Sequence, residues 1–215
     1  VIVYRCFILI VLMVLMNSIS TMAQIRINEV CTSNNSIITD EDGDTRDWIE
    51  IYNTEETPVD LAGYYLTDSK TDTVKWQFQS LVVPAFGHVL VFASAKDRPS
   101  VNPPHTSFKL SQDGETVWLY DTNKILIDSI SVPYLTTDLS YGAFPDGTGS
   151  RVYFSSPTPQ ATNNNSAPSD HIIAFRPVFN HNTGVYQHSI EVEITTADQG
   201  ATLYYTLDGS EPKES

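Results

Sequence analysis

From residue 24 to about residue 154, the chain alternates short runs of β-branched and aromatic residues with turn-forming sequences. The runs comprise residues 25–31, 48–52 (WIEIY), 89–92 (VLVF), 116–120 (TVWLY) and 124–132 (KILIDSISV). Turn signals separate them, among them Asp113-Gly114, Asp146-Gly147 and residues 84–87. No window places apolar residues at i, i+3, i+4 and i+7 over a helical length. Short, closely spaced strands with this punctuation indicate a β-sandwich or barrel, so we predict an all-β fold.

Residues 155–169 (SSPTPQATNNNSAPS) interrupt this pattern. The stretch combines prolines with consecutive asparagines and contains no large apolar residue, which is typical of a linker. We therefore predict that nothing in it is buried. It divides the chain into a first domain, residues 24–154, and a second, residues 170–215.

The β pattern resumes in the second domain. Residues 189–195 (SIEVEIT) alternate, with Ile190, Val192 and Ile194 on one face, which predicts a strand with one buried face. Residues 202–207 predict a further strand that ends at Asp208-Gly209, a tight-turn signal. An immunoglobulin-like sandwich uses about seven strands over roughly 100 residues, so we expect a partial, truncated second β-sandwich. The sequence is therefore expected to be a fragment.

Residues 1–23 have the layout of a secretory signal peptide. Arg5 precedes an apolar run at residues 7–16, and small polar residues lead to Ala23. Ten apolar residues are too few to cross roughly 30 Å of hydrocarbon, which disfavours a membrane anchor. We predict cleavage after Ala23, a secreted or cell-surface product and no membrane span in the mature chain. Because the chain begins with Val1, we expect its true start to lie upstream.

Charge and cysteine content restrict the partners and the compartment. The formal net charge is −14, and a surface of this sign repels the phosphate backbone of nucleic acids. We therefore predict no nucleic-acid partner and expect an extracellular protein or a cell-envelope polysaccharide instead. Cleavage after Ala23 would leave Cys31 as a lone cysteine, so no internal disulfide is possible. Export without a disulfide suits a bacterial secreted domain held together by its core.

The acidic loop at residues 40–47 is the leading candidate for a metal site. Asp40, Asp42, Asp44 and Asp47 lie close together around Gly43. Calcium takes six to eight oxygen ligands, which such a loop could supply, so these four residues are the predicted ligands. The spacing differs from that of the helix–loop–helix calcium motif, in which glycine stands sixth. The alternative is a solvated loop whose aspartates and glycine serve turn formation.

A sugar-binding site and a catalytic site are the other functional alternatives that the sequence offers. Trp48, Trp76 and Trp118 could stack on sugar rings, but each lies in an apolar strand pattern where aromatic residues usually belong to the core. The sequence has no Gly-x-Ser-x-Gly elbow, no HExxH motif and no phosphate-binding glycine loop. Its histidines are scattered, at positions 88, 105, 171, 181 and 188. We therefore predict no enzymatic activity within these residues.

The first domain resembles the lamin-tail domain family in its bacterial secreted form. The resemblance is carried by residues 27–30 (INEV), 40–53 (DEDGDTRDWIEIYN), 59–68 (VDLAGYYLTD), 75–76 (KW), 84–94 (PAFGHVLVFAS), 114–121 (GETVWLYD), 127–129 (IDS) and 140–147 (SYGAFPDG). This resemblance implies an immunoglobulin-like sandwich without a known catalytic centre, used for attachment or interaction. In nuclear lamins the domain can meet DNA, a role that the signal peptide and the acidic charge disfavour here.

The second domain is similar to the start of the chitobiase/β-hexosaminidase C-terminal-type domain, another non-catalytic sandwich. Residues 175–177, 184–186 and 201–212 (ATLYYTLDGSEP) carry the similarity, together with the alternating strand. Bacterial proteins that join these two modules often continue into a spore-coat-type (CotH) kinase-like domain or another secreted enzyme. The resemblances thus imply an adhesion or anchoring module. The alternatives are an accessory region of a larger secreted enzyme or kinase-like protein, and a carbohydrate-binding module.

Overall fold

The computed structural model describes residues 24–163, 168–169, 177–196 and 202–212. The chain forms two compact units, Val1–Ser169 and Asp170–Ser215. The predicted signal peptide, residues 1–23, lies outside the described residues. Within the part of the chain that is described, no helix is long and apolar enough to cross a membrane.

The first unit is built from antiparallel strands, so the all-β prediction is confirmed. In chain order the strands are β1 (Ile25–Cys31), β2 (Trp48–Asn53), β3 (Val59–Asp60), β4 (Tyr65–Thr67), β5 (Trp76–Gln77), β6 (Val82–Val83), β7 (His88–Phe92), β8 (Glu115–Tyr120), β9 (Leu126–Val132), β10 (Ser140–Phe144), β11 (Ser150–Phe154) and β12 (Pro168–Ser169). A six-stranded sheet has the order β12-β11-β10-β1-β2-β7, and a four-stranded sheet the order β5-β4-β8-β9. The pair β3-β6 forms a small third sheet. This architecture is the predicted immunoglobulin-like β-sandwich.

The core lies between the inward faces of the six-stranded and four-stranded sheets. Ile27 and Val30 of β1 and Ile49 and Ile51 of β2 are fully buried, and residues such as Leu119 of β8 complete the same cluster. Because successive strand residues point to opposite faces, the isoleucines of β2 leave Glu50 on the outer face of the six-stranded sheet. Burying each such apolar side chain stabilises the fold by about 1.5–3 kcal/mol.

A β-bulge in β1 sets the position of the polar residues on that outer face. The register between β1 and β2 shifts between Ile27 and Glu29, and Glu29 then pairs with Glu50. Paired residues of antiparallel strands share a face, so both glutamates lie on the side away from the core. Ile27, which pairs with Ile51 of β2 just before the bulge, also contacts side chains of β9 and β11 through its backbone. Its N–H donates to Asp128 Oδ2 at 2.9 Å, and Arg151 Nη1 donates to its carbonyl at 2.6 Å.

The second unit contains a two-stranded antiparallel sheet of β13 (Val178–Phe179) and β14 (Ile194–Thr195) among its described residues. The strand predicted at residues 189–195 was too long, and the strand predicted at residues 202–207 is absent. Residues 189–193 and 202–207 are not strands, and Val192 and Leu207 are 52% and 95% exposed. The described residues of this unit include no second sheet to cover the apolar face, and a lone strand pair is only marginally stable. The alternating pattern therefore marks a face that this pair alone does not bury.

Candidate functional site

The acidic loop is a tight hairpin organised by Asp40. The Asp40 amide donates to the Asp44 carbonyl at 2.9 Å, and Gly43 occupies the left-handed region at φ +81°. The Asp40 Oδ1 atom accepts hydrogen bonds from the amides of Asp42 and Asp44, both at 3.0 Å. This side chain–backbone pattern is a common device for ordering turns. It directs the second oxygen of Asp40 toward the carboxylates of Asp42 and Asp44.

Lys96, in the segment that follows β7, occupies the point where these carboxylates converge. Its Nζ atom lies 2.6 Å from Asp40 Oδ2, 2.6 Å from Asp42 Oδ2 and 2.9 Å from Asp44 Oδ2. Ligand oxygens of the three aspartates lie within 4.8 Å of one another, a spacing that could also hold a metal ion. In this arrangement the ammonium group of Lys96 occupies the point at which a metal ion would bind, and Arg46 and Arg98 pair with the outer carboxylates of the loop.

The protonation equilibria of the loop follow from these contacts. The hydrogen bond from Arg46, followed by that from Lys96, lowers the pKa of Asp44 to about 2. Hydrogen bonds from Lys96 and Arg98 lower the pKa of Asp42. Partial desolvation lowers the pKa of Lys96, but its hydrogen bonds to the three aspartates outweigh this effect, so the pKa lies above its ordinary value. These shifts keep Asp42, Asp44 and Lys96 ionised and paired across the neutral pH range.

A chain of hydrogen bonds fixes the same loop on its other side. His105 is fully buried, with Nδ1 2.8 Å from Ser94 Oγ and Nε2 2.8 Å from Glu41 Oε2. An exposed carboxylate accepts from Nε2–H, which leaves Nδ1 to accept from the serine hydroxyl. Although a Ser–His–acid series also occurs in hydrolases, Ser94 is only 4% exposed and its oxygen accepts the Lys96 amide at 3.1 Å. The series holds the loop in place rather than presenting a nucleophile.

Asp47, the fourth predicted calcium ligand, does not join the converging carboxylates of Asp40, Asp42 and Asp44. It is partly buried, and backbone N–H groups of Asn34 and Leu110 donate to it. Desolvation by burial raises its pKa to about 6, against an ordinary value of 3.8. The cluster that the structure assembles therefore comprises three of the four predicted residues.

The raised pKa of Asp47 predicts a pH-dependent effect of the substitution Asp47→Asn. A raised folded-state pKa means that the stabilisation is present below pH 3.8 and is lost as the pH rises through about 6. The neutral amide removes this loss, so Asp47→Asn should raise the free energy of unfolding at pH 7.5 by on the order of 1–3 kcal/mol. Urea denaturation should show no gain at pH 4. Asp113→Asn, at an exposed turn, is the control and should change little at either pH; an equal gain from both variants would contradict the assignment.

The three tryptophans do not form a sugar-binding platform. Trp48 and Trp76 are 0% and 3% exposed, and only Trp118 is partly accessible. Trp48 packs with Cys31, Leu90 and Phe92 on the outer face of the six-stranded sheet. The core-packing alternative is therefore the correct one for Trp48 and Trp76.

A second polar cluster lies on the outer face of the six-stranded sheet and is centred on Asn28, which is fully buried. Its Nδ2 donates to Glu50 Oε1 at 2.9 Å and to Asp146 Oδ1 at 3.0 Å, and its Oδ1 accepts the Gly147 amide at 2.8 Å. Glu29 lies beside it and accepts the hydroxyl of Ser140. We refer to Glu29, Glu50 and Asp146 as the buried carboxylates.

Residues 158–163, here called the covering segment, close over the buried carboxylates. Thr158 contacts Glu29, the Gln160 amide donates to Glu50 Oε2 at 2.5 Å, and the Asn163 amide donates to Asp146 Oδ1 at 3.0 Å. Asn163 is fully buried. The prediction that nothing in residues 155–169 is buried was therefore wrong. The composition of this segment shows that it has no large apolar side chain to bury. It does not show that the segment hydrogen-bonds to carboxylates elsewhere in the chain.

The residues that the sequence analysis missed fall into two groups. Lys96, Arg98 and His105 carry no local signal, because their acidic partners lie more than fifty residues away in the chain. Glu50 does carry one, since it is a charged residue between the isoleucines of β2, and such residues are rarely buried unless paired; Glu29 follows the polar Asn28 and its signal is weaker.

Two family models match the chain. The first, described as Lamin Tail Domain, matches residues 19–133. The second, described as Chitobiase/beta-hexosaminidase C-terminal domain, matches residues 181–215. Both resemblances are thereby confirmed at the level of the family, whereas the bacterial, secreted form of the first stays a prediction. No curated protein matches the chain.

Proposed function

The chain belongs to the lamin tail domain family, and from that premise we propose that it is a secreted, non-catalytic module for adhesion or anchoring. Its partner would be an extracellular protein or a cell-envelope polysaccharide. Both matched families consist of immunoglobulin-like domains without a catalytic role, which supports a non-enzymatic function. Sandwich domains of this kind usually bind through loops held by a rigid scaffold.

The observation that best supports this proposal is the rigid, charged surface of the acidic loop. Glu41 and Asp42 are exposed, yet both are held by Arg98 Nη1 at 2.9 and 2.8 Å. Lys96 and His105 tie the same loop to the body of the sandwich. Because these side chains are already ordered, a partner that contacts them does not incur the full entropic cost of ordering a flexible loop.

A retention assay tests the proposal with the purified chain. Isolated cell envelopes, peptidoglycan, chitin and cellulose are the probes, and the bound fraction is measured against salt concentration. We expect Arg98→Ala to weaken retention at least about fivefold, as loss of an ordered ionic contact does. Lys70→Ala, which also removes one exposed positive charge, should leave retention unchanged. Failure of the unaltered chain to bind any envelope fraction, or an equal loss in both variants, would contradict the proposed function.

Secretion is the second part of the proposal, and it rests on the composition of residues 1–23. When the chain is expressed with its leader, the exported product should begin at Gln24. N-terminal sequencing of the extracellular fraction measures this directly. Ala23→Phe should block cleavage, because signal peptidase requires a small residue at this position. An exported product that retains residues 1–23, or no export at all, would contradict this part.

Carbohydrate binding is a second candidate function, and the second unit favours it. Its matched family is named after chitobiase, and a cleft of about 530 Å³ in this unit is lined by apolar side chains. Tyr205, in the wall of this cleft, is 68% exposed and could stack on a sugar ring. In this reading the chain is an accessory region of a larger secreted enzyme or CotH-type kinase-like protein. Affinity electrophoresis on soluble chitin fragments, with Tyr205→Ala as the variant, distinguishes it from anchoring through the acidic loop.

Calcium binding at the acidic loop stays a proposal, and the ion would have to compete with Lys96. Asp40, Asp42 and Asp44 direct oxygens to one point, as a hard cation requires, but the Lys96 ammonium already occupies that point. We propose that Ca²⁺ binds these three residues only when the Lys96 ammonium is displaced, and that Asp47 is not a ligand.

A further inference from the structure

The contacts of Thr158 imply a proton on one of the buried carboxylates. Its hydroxyl oxygen lies 2.8 Å from Glu29 Oε2 and 2.6 Å from Asn163 Oδ1. The Asn163 side chain is oriented by Nδ2, which donates to the Ala143 carbonyl at 2.8 Å, so Oδ1 faces the hydroxyl as an acceptor. A hydroxyl has a single proton to donate. Both contacts are hydrogen bonds only if Glu29 Oε2 carries a proton and donates it to Thr158.

The surroundings of Glu29 favour the protonated form. Its other oxygen accepts the Thr158 amide at 3.1 Å and the Ser140 hydroxyl, which leaves Oε2 as the position for the proton. Desolvation by burial raises the pKa of Glu29, against the opposing effect of these hydrogen bonds. The negative charge of Asp146 raises it further.

We propose that a proton held on Glu29 fastens the covering segment, residues 158–163, onto the six-stranded sheet, and that loss of this proton releases the segment. When Glu29 ionises, the Thr158 hydroxyl can donate to Glu29 or to Asn163, but not to both. The ionised group also faces Glu50 and Asp146 within a buried site, where like charges repel strongly. The covering segment is therefore fastened onto the six-stranded sheet by a contact that acid stabilises.

The titratable groups around the cluster set the pH range of this closure. They are Glu29 and Cys31 on β1, Glu50 and Tyr52 on β2, His88 on β7, and Asp146 after β10, and residues 158–163 contribute no charge.

Burial raises the pKa values of Glu29 and Glu50, so their contribution to the stability of the closure is complete below the ordinary glutamate range and is lost as the pH rises through the elevated values. Burial tends to raise the pKa of Asp146, but hydrogen bonds, Thr162 first, bring it below the ordinary value. Its contribution is lost in acid, as is that of His88, whose pKa burial lowers. Closure is thus strongest in mildly acidic solution.

Hydrogen exchange of the full chain, followed by NMR, tests the proposal at the Thr158, Gln160 and Asn163 amides. Above the elevated pKa of Glu29, the protection factors of the unaltered protein should fall roughly tenfold per pH unit, as release of one proton requires. In Glu29→Gln the amide N–H replaces the carboxyl proton, so the fall in protection that accompanies ionisation of Glu29 should disappear, and only the dependence due to Glu50 should remain. The same pH dependence in both proteins would overturn the proposal.

Glu50→Gln is the matched control, since it also removes one buried negative charge. Both oxygens of Glu50 accept hydrogen bonds, from Asn28 and from Gln160, so a Gln NH₂ group must face a donor. Glu50→Gln should lower protection at every pH. If it instead reproduces Glu29→Gln, charge removal alone explains the effect and the specific proton is refuted. Should the variants not fold, the carboxyl ¹³C shift of Glu29 in the unaltered chain decides: titration in the ordinary glutamate range overturns the proposal, and titration above it supports it.

Discussion

Asn28→Asp is expected to lower the free energy of unfolding of the first unit by roughly 4 kcal/mol or more, although it conserves shape. The buried Asn28 side chain gives its two N–H protons to Glu50 and Asp146. An aspartate there replaces both donors with an acceptor and adds a fourth carboxylate to the buried cluster. Each buried polar atom left without a partner costs about 1–3 kcal/mol, and uncompensated charge costs more. Urea denaturation at pH 7 measures the loss.

Asn123→Asp is the matched control, because it introduces the same charge at an exposed turn between β8 and β9. It should change the free energy of unfolding by no more than about 0.5 kcal/mol, as exposed substitutions usually do. The destabilisation by Asn28→Asp should also shrink toward acid pH, where the added carboxylate takes up a proton. Similar losses in the two variants would show that Asn28 is not the organising donor of the buried carboxylates.

Lys96→Met should convert the acidic loop from a calcium-insensitive structure into a calcium-dependent one. The side chain of Asp40 is fully buried against Lys96, so removal of the ammonium leaves its Oδ2 without a counter-charge. We expect a loss on the order of 2 kcal/mol in chelator, or a melting temperature lower by roughly 4–8 °C. Millimolar Ca²⁺ should restore most of this loss, because Asp40, Asp42 and Asp44 then offer converging oxygens without a competing cation.

Lys75→Met provides the comparison for Lys96→Met. Lys75 pairs with the single carboxylate of Asp68 at 2.6 Å, so its loss should cost at most about 1 kcal/mol and should not respond to calcium. Melting curves of the unaltered protein should shift little with millimolar Ca²⁺. A calcium shift in the unaltered protein as large as that in Lys96→Met would mean that Lys96 does not hold the position of the ion.

The strands of the first unit were predictable from sequence because the information that specifies them is local. Residues 48–52, 89–92 and 116–120 lie in β2, β7 and β8, with bounds that differ by a residue or so. Alternation of apolar and polar residues directly records which face of a strand is buried. The same rule failed for residues 189–195, where only Ile194–Thr195 form a strand. An apolar face specifies burial only when another sheet packs against it.

In the candidate site, too, local features were predictable from sequence and contacts between distant segments were not. The convergence of Asp40, Asp42 and Asp44 could be inferred from their spacing around Gly43, because a tight turn brings neighbours together whatever the rest of the chain does. Two features of the site could not be inferred in this way: Asp47 faces other backbone groups, and Lys96 takes the position predicted for calcium. Both depend on segments that are brought together by the pairing of β2 with β7.

By itself, the amino-acid sequence specified an all-β first domain, further β structure after residue 170 and a short loop rich in aspartate, while the lamin-tail type came from the resemblance to that family. These properties follow from periodicity, turn chemistry and composition, which act over a few residues. The ion pairs of Lys96, the burial of Asn28 and the closure of residues 158–163 over Glu29 emerged only from the folded chain. The reason is physical: a charged or polar side chain can be buried only beside a complementary partner, and here those partners come from distant parts of the chain.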